Sequence, residues 1–132
     1  MQNITDYVHP IFGIDGNGFL PLNGEIDQMK IREEKDEKLV KQVDSTKLEF
    51  ISKLIDESKG VEMIFVASPI WYGSSDRDYQ PISEICESKN VRFIDFSNSE
   101  KYVRQSHWFK DGTHLNARGA DEFTRDLTSV IN

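Results

Sequence analysis

The sequence contains one cysteine, no excess of basic residues and no long apolar run. Cys86 cannot close an internal disulfide, and its helical spacing among apolar residues favours core packing over reactivity. The longest apolar run, residues 63–67, is far shorter than the ~20 residues that span a bilayer, so we expect no membrane segment. Lys and Arg number 16 against 23 Asp and Glu, a net charge of −7. This acidic balance makes nucleic acid a poor candidate partner.

The chain has 132 residues, of which 37% are hydrophobic, enough for a single domain or part of one but not for two. Residues 1–30 hold four glycines and two prolines among scattered apolar residues, which predicts an irregular arm. Residues 1–4 lack the charged-then-apolar pattern of a signal peptide. The compartment stays open between the cytoplasm and the cell envelope.

Residues 31–132 predict the order α-β-α-β-loop-α. Residues 31–59 have amphipathic helical spacing, with a kink or a fresh start near Asp44. Residues 61–67 and 91–96 have strand character, a helix begins near Pro81 between them, and Asn116 caps a last helix. The run at 61–67 is apolar almost throughout, which predicts an inner parallel strand covered on both faces. Two strands are too few for three helices, so we expect an upstream segment or a second copy to complete the sheet.

The loop before the last helix carries Asp111 and, three residues later, His114. A carboxylate at this spacing can accept a hydrogen bond from imidazole Nδ1 and leave Nε2 as a general base. The alternative is that both residues only order the turn before the Asn116 cap. His107 with Asp111 and His114 also offers two imidazoles and a carboxylate, but the spacing is not a strong zinc signature. We therefore expect neither a metal nor a cofactor.

In open parallel sheets, ligands bind beyond the carboxyl ends of the strands. Here those ends lead into residues 68–75 and 95–114, so Trp71, Tyr72 and Trp108 are predicted to line an acyl or sugar pocket; the alternative is that they cap the core. Ser74 and Ser75 lie in the first of these loops. They lack the strand-turn-helix pattern that exposes a catalytic serine, so a polar loop is the favoured interpretation.

Three motifs carry a resemblance to a known family. They are Ser68-Pro69 after the first strand, the second strand Phe93-Ile94-Asp95-Phe96, and the block Asp111-Gly112-Thr113-His114-Leu115-Asn116-Ala117-Arg118-Gly119-Ala120. Together, residues 39–127 resemble the C-terminal half of SGNH/GDSL-type ester hydrolases, particularly their bacterial branch. The resemblance implies a three-layer α/β/α flavodoxin-like fold and acyl transfer from a carbohydrate, lipid or cell-wall ester. It also implies that His114 is the general base for a serine and that Asp111 orients it.

The family places its nucleophilic serine in a Gly-Asp-Ser or Gly-Asn-Ser block after the first strand. Residues 1–30 contain no serine, and the segments that carry the family's oxyanion-hole Gly and Asn have no counterpart. We therefore expect this chain to be the C-terminal part of a longer hydrolase, or a remnant of one, and to be inactive alone. The alternative is a non-catalytic α/β module that pairs through a sheet edge with a second copy or a partner chain.

Overall fold

The computed structural model describes residues 21–26, 44–75 and 78–132. In these ranges the elements are α1 Ser45–Glu57, β1 Ile64–Ala67, α2 Gln80–Ser88, β2 Arg92–Asp95 and α3 Ala117–Ile131, with a short 3-10 helix at Ser106–Trp108. The described chain is thus mixed α/β, with three helices and two parallel strands in the predicted order. Most of the predicted arm and the helix expected over residues 31–43 lie outside the described residues. None of the described helices is both long and apolar enough to cross a bilayer.

Local sequence signals explain where the helices begin. The Asp44 carboxylate accepts a hydrogen bond from the Lys47 N–H at 3.2 Å, so α1 starts at Ser45, which agrees with the fresh start predicted near Asp44. Pro81 lies in the first turn of α2, where its missing N–H is not needed. The Asn116 side chain accepts a hydrogen bond from the Gly119 N–H at 2.9 Å and begins α3, which confirms the predicted cap.

The two strands pair in parallel over four residues each, with Ile64 opposite Arg92 and Ala67 opposite Asp95. Both strands are shorter than predicted because the ladder pairs only Ile64–Ala67 with Arg92–Asp95. In the described part of the chain, β2 is the only neighbour of β1, and the first three residues of β1 are only half-buried. The described residues therefore do not provide the cover on both faces that the apolar run predicts.

The best-buried side chains come from segments around the loops that follow the strands. The central cluster consists of Ile26, Trp71, Tyr102 and Phe109, with Trp108, Leu115 and Phe123 packed against it. Trp71 and Phe109 meet edge to face, with ring centroids 5.9 Å apart. Cys86 is also fully buried, and burial raises the pKa of its thiol, which matches the predicted core role.

Several large apolar side chains of the predicted helical stripes are exposed instead of buried. No residue of α1 is buried, and Phe50 and Leu54 on this helix are 67% and 50% exposed. Val130 and Ile131, at the end of α3, are also exposed. The two short strands of the described residues offer too little surface to cover three amphipathic helices.

Candidate functional site

The loop that carries Asp111 and His114 is closed at its base like a small hairpin. An antiparallel bridge joins Phe109 to Leu115. The Lys110 N–H donates to the His114 carbonyl at 2.8 Å, and the Asn116 N–H donates to the Trp108 carbonyl at 2.9 Å. These bonds fix both ends of the five-residue loop over residues 110–114. The bridge could not be predicted from hydrophobic periodicity, because it pairs only Phe109 with Leu115 and a single residue on each side shows no repeating pattern.

Within this loop, the Asp111 carboxylate is the shared hydrogen-bond acceptor for Thr113 and His114. Its Oδ1 atom accepts the backbone N–H groups of Thr113 and His114, each at 2.9 Å, and the Thr113 hydroxyl at 3.2 Å. The Nδ1 atom of His114 lies 2.9 Å from both carboxylate oxygens. The structure therefore brings together the two residues that the sequence predicts as a catalytic pair.

The hydrogen bonds determine the charge state of Asp111. Partial burial raises its pKa, but the bonds from the Thr113 N–H and from the side chain and N–H of His114 outweigh that effect and lower the pKa to about 2 from 3.8. The ionised carboxylate can only accept, so Nδ1 of His114 must carry the proton that joins them. The imidazole is 64% exposed, and its Nε2 atom makes no hydrogen bond to any described residue. The arrangement thus presents an oriented basic nitrogen to solvent.

The loop after β1 supports the Asp111–His114 loop from the side. The Trp71 N–H donates to the Gly112 carbonyl at 3.0 Å. The Tyr72 ring lies so close to Gly112 that a Cβ atom on this glycine would be 2.9 Å from Tyr72 Cε2. Only glycine lets the aromatic ring approach the loop this closely.

The three aromatic residues predicted to line a pocket lie in different environments. Trp71 is 4% exposed and belongs to the core, so its position corresponds to the packing alternative. Tyr72 is 42% exposed and lies beside the Asp111–His114 loop. Trp108 is half-buried, donates from Nε1 to the Lys101 carbonyl at 3.0 Å, and lines a shallow groove along α3. Neither Asp111 nor His114 lines that groove, so only Tyr72 adjoins the histidine loop as an exposed ring.

Ser74 belongs to a polar network at the carboxyl ends of both strands. Its hydroxyl hydrogen-bonds to Ser97, a fully buried residue whose own hydroxyl donates to Asp95 at 2.6 Å. The Asn98 side chain accepts the Ser74 N–H at 2.7 Å. The Asp95-x-Ser97 spacing at a strand end is a turn signal from which part of this network could have been predicted.

This network joins the loop after β1 to the loop after β2. It does not place a serine hydroxyl next to a histidine that could deprotonate it. Among the described residues, no serine hydroxyl contacts the His114 ring. Ser75 is exposed, and its N–H donates to Asp78 at 3.0 Å. The structure thus gives both serines of the loop after β1 the polar-loop surroundings that their sequence context favours.

His107 does not join Asp111 and His114. Its ring lies against Trp108, with ring centroids 4.3 Å apart. In the part of the chain that the structure describes, no three His, Cys, Asp or Glu side chains come close enough together to hold a metal ion. The metal-loop alternative therefore has no geometric basis in these residues.

No protein-family model matches this chain, and neither a curated protein nor a solved structure is similar to it.

Proposed function

We propose that this chain contributes the histidine–aspartate part of an SGNH/GDSL-type ester hydrolase. In this proposal His114 is the general base and Asp111 orients it, while the nucleophilic serine and the oxyanion-hole donors lie on a segment outside this chain. The proposed complete fold is the family's three-layer α/β/α flavodoxin-like architecture. The substrate is a small-molecule, carbohydrate or lipid ester, and neither a metal nor a cofactor takes part.

One observation carries the proposal: the Asp111 carboxylate holds Nδ1 of His114 at 2.9 Å while Nε2 has no partner among the described residues. The carboxylate on Nδ1 fixes the tautomer of His114, so the exposed Nε2 is the ring nitrogen that is free to accept a proton. In acyl transfer, Nε2 removes the proton of the attacking serine, and the carboxylate stabilises the resulting imidazolium. The same nitrogen then delivers the proton to the departing alcohol.

The strand pairing of the described residues supports the second part of the proposal, a serine segment outside this chain. Of the described residues, only β2 pairs with β1, although the side chains of β1 are apolar throughout. The Phe96 N–H donates to the Ala67 carbonyl at 2.9 Å. Since alternate residues of a parallel strand bond to opposite neighbours, the backbone groups of Ile64 and Val66 face the other edge. An additional parallel strand at this edge would satisfy those groups and bring in the serine segment.

The experiment that tests the proposal adds a nucleophilic serine to the chain. A longer chain, in which an upstream segment with a Gly-Asp-Ser block precedes this sequence, should hydrolyse an aryl acetate. His114→Ala in that chain should lower kcat/KM at least about a thousandfold, whereas the matched control His107→Ala should have little effect. An unchanged rate for His114→Ala would refute the assigned role.

The present chain provides a second measurement. After incubation with a fluorophosphonate, its intact mass should stay unchanged, because no described serine contacts the His114 ring. A single adduct that disappears in His114→Ala would mean that this chain holds its own nucleophile. That result would overturn the placement of the serine on another segment.

The same edge of β1, which has no strand partner among the described residues, favours a second candidate function, a non-catalytic module that pairs with a second copy of the chain. The exposed Phe50 and Leu54 on α1 provide apolar surface for such an association. Analytical ultracentrifugation should then show a dimer that Val66→Pro dissociates, because proline removes a donor from the edge strand. A stable monomer at high concentration would exclude this candidate.

A further inference from the structure

Arg104 has a backbone conformation that is unusual for arginine. Its φ is 60°, in the left-handed region, and Asn90 is the only other non-glycine residue of the described chain with a positive φ. Asparagine adopts this region readily, whereas a long side chain without a local hydrogen bond is rarely found there. Glycine or asparagine would therefore suit this position better if the backbone alone mattered. The side chain needs a separate explanation.

The contacts of Arg104 place it next to the candidate site. Its N–H donates to the Trp71 carbonyl at 3.0 Å, and the Trp71 N–H donates in turn to the Gly112 carbonyl. Its guanidinium carbon lies 5.2 Å from the centre of the Tyr72 ring, and that ring also contacts Gly112. Arg104 is thus connected to the Asp111–His114 loop through both the backbone and the side chain of the loop after β1.

The charge of Arg104 has no counterion in the described structure. Lys101, three residues earlier, lies 2.7 Å from Glu122 and 2.8 Å from Asp126. The Arg104 side chain, by contrast, is exposed and has no carboxylate partner among the described residues. The Tyr72 ring supports one side of the guanidinium and leaves its N–H groups available. An arginine held in this way matches the planar, two-oxygen geometry of a carboxylate.

We propose that Arg104, supported on Tyr72, binds an anionic group of the substrate, so that the preferred ester carries a carboxylate or a similar anion. This proposal rests on the proposed hydrolase function, since it assigns the substrate class of that same site. The chain as a whole has a net charge of −7, which disfavours anions elsewhere on its surface. An uncompensated cation beside the histidine loop therefore makes the site selective.

The experiment compares two esters that differ only at one end. Monomethyl succinate carries a carboxylate where methyl butyrate carries a methyl group. The isotope-labelled chain is titrated with each ester at neutral pH, and the NMR shifts of the Gly112 and Thr113 amides report binding beside His114. Wild type should bind monomethyl succinate roughly tenfold more tightly than methyl butyrate, as expected for one charge-assisted contact.

Two variants locate the effect. Arg104→Asn removes the charge but keeps a residue that tolerates the left-handed backbone, so the fold is preserved, and it should abolish the preference for the anionic ester. Arg118→Gln is the matched control, because its guanidinium also lies over an aromatic ring, 5.0 Å from the centre of Trp108; it should leave the preference unchanged. Equal binding of both esters by wild type, no binding of either, or full retention of the preference in Arg104→Asn would overturn the proposal.

A separate measurement distinguishes this failure from failure of the hydrolase function. In the longer chain with its serine block, His114→Ala should abolish hydrolysis while leaving the Kd for monomethyl succinate within about twofold, since His114 does not contact Arg104. Loss of the anion preference alone would refute the assignment of Arg104. An Arg104-dependent preference without any effect of His114→Ala on hydrolysis would refute the catalytic role and leave the anion site intact.

Discussion

The substitution Gly119→Ala tests how α3 is held against the loop that carries the histidine. Gly119 is buried in the first turn of α3, and its N–H is bound by the Asn116 side chain. A Cβ atom at this position would lie 2.1 Å from the Trp108 carbonyl oxygen and 2.9 Å from its carbonyl carbon. The obstacle is backbone, and the Asn116 N–H already donates to the same oxygen. Neither side can yield without breaking a contact.

The expected effect follows from two opposing contributions. Helix propensity alone would make Gly119→Ala stabilising by about 1 kcal/mol. An ordinary carbon–oxygen contact is ~3.3 Å or longer, so α3 must move by about 1.2 Å at this point. Such overpacking costs about 1–3 kcal/mol, and weakening one or two hydrogen bonds of the cap adds about 1 kcal/mol each. We expect a net loss of about 2 kcal/mol, a fall in Tm of about 8 °C for a chain of this size.

The assay is urea and thermal unfolding followed by far-UV circular dichroism. Thr124→Ala, at an exposed position of the same helix, is the control and should change stability by less than about 0.5 kcal/mol. The direction of the stability change in Gly119→Ala distinguishes a steric clash from a gain in helix propensity. A Gly119→Ala protein as stable as wild type, or more stable, would refute the close approach between α3 and Trp108.

Three further outcomes are expected. Asn116→Ala should lower the free energy of unfolding by about 2–3 kcal/mol, because the side chain is buried and its amide also donates to two carbonyls. Asp44→Ala removes an exposed cap and should cost about 1 kcal/mol or less. Equal losses for the two variants in urea titrations would contradict this difference. The pKa of Asp111 is lowered to about 2 in the folded chain. Its ionised form therefore stabilises the loop at pH values above the unfolded pKa of 3.8, and this contribution is lost as pH falls through about 2. The NMR shift of the Thr113 amide should titrate with a midpoint near pH 2, and a midpoint near pH 4 would contradict the hydrogen bonding. Tyr102 is fully buried and donates to Asp126 at 2.6 Å, and burial together with this bond raises its pKa. Tyr102→Phe should therefore cost about 1–2 kcal/mol and remove a tyrosine that ionises only at strongly alkaline pH in an ultraviolet titration. Loss of a tyrosine that ionises near the ordinary value of about 10 would argue against this hydrogen bond.

Local sequence signals were sufficient for the order of the described elements and for part of the site. Asp44 and Asn116 begin their helices as their side-chain chemistry predicts, because a cap depends on residues within one turn. The pairing of Asp111 with His114 was predictable for the same reason, since only three residues separate them. The strand at β1 was also apparent, because an almost continuous apolar run of that length after Gly60 is typical of a strand.

Long-range packing decided the features that local signals could not. Trp71 and Tyr72 are adjacent and aromatic, yet one is buried in the core and the other contacts Gly112 at the surface. The sequence contains no sign of this difference, because it arises from where Phe109 and Gly112 meet the loop after β1. The network of Ser74 and Ser97 likewise joins residues that are 23 positions apart.

The sequence by itself determined the α/β order, the acidic charge, the caps and the Asp111–His114 pair, because each depends on composition or on neighbours within a few residues. Only the tertiary structure decided that α3 approaches Trp108 closely enough to require glycine at position 119. It alone decided that the buried cluster around Trp71, Tyr102 and Phe109 lies with the loops after the strands, and that Arg104 lies beside the histidine loop without a counterion among the described residues. These features depend on the meeting of segments that are distant in sequence, and that meeting is set by packing and backbone hydrogen bonds across the whole described chain.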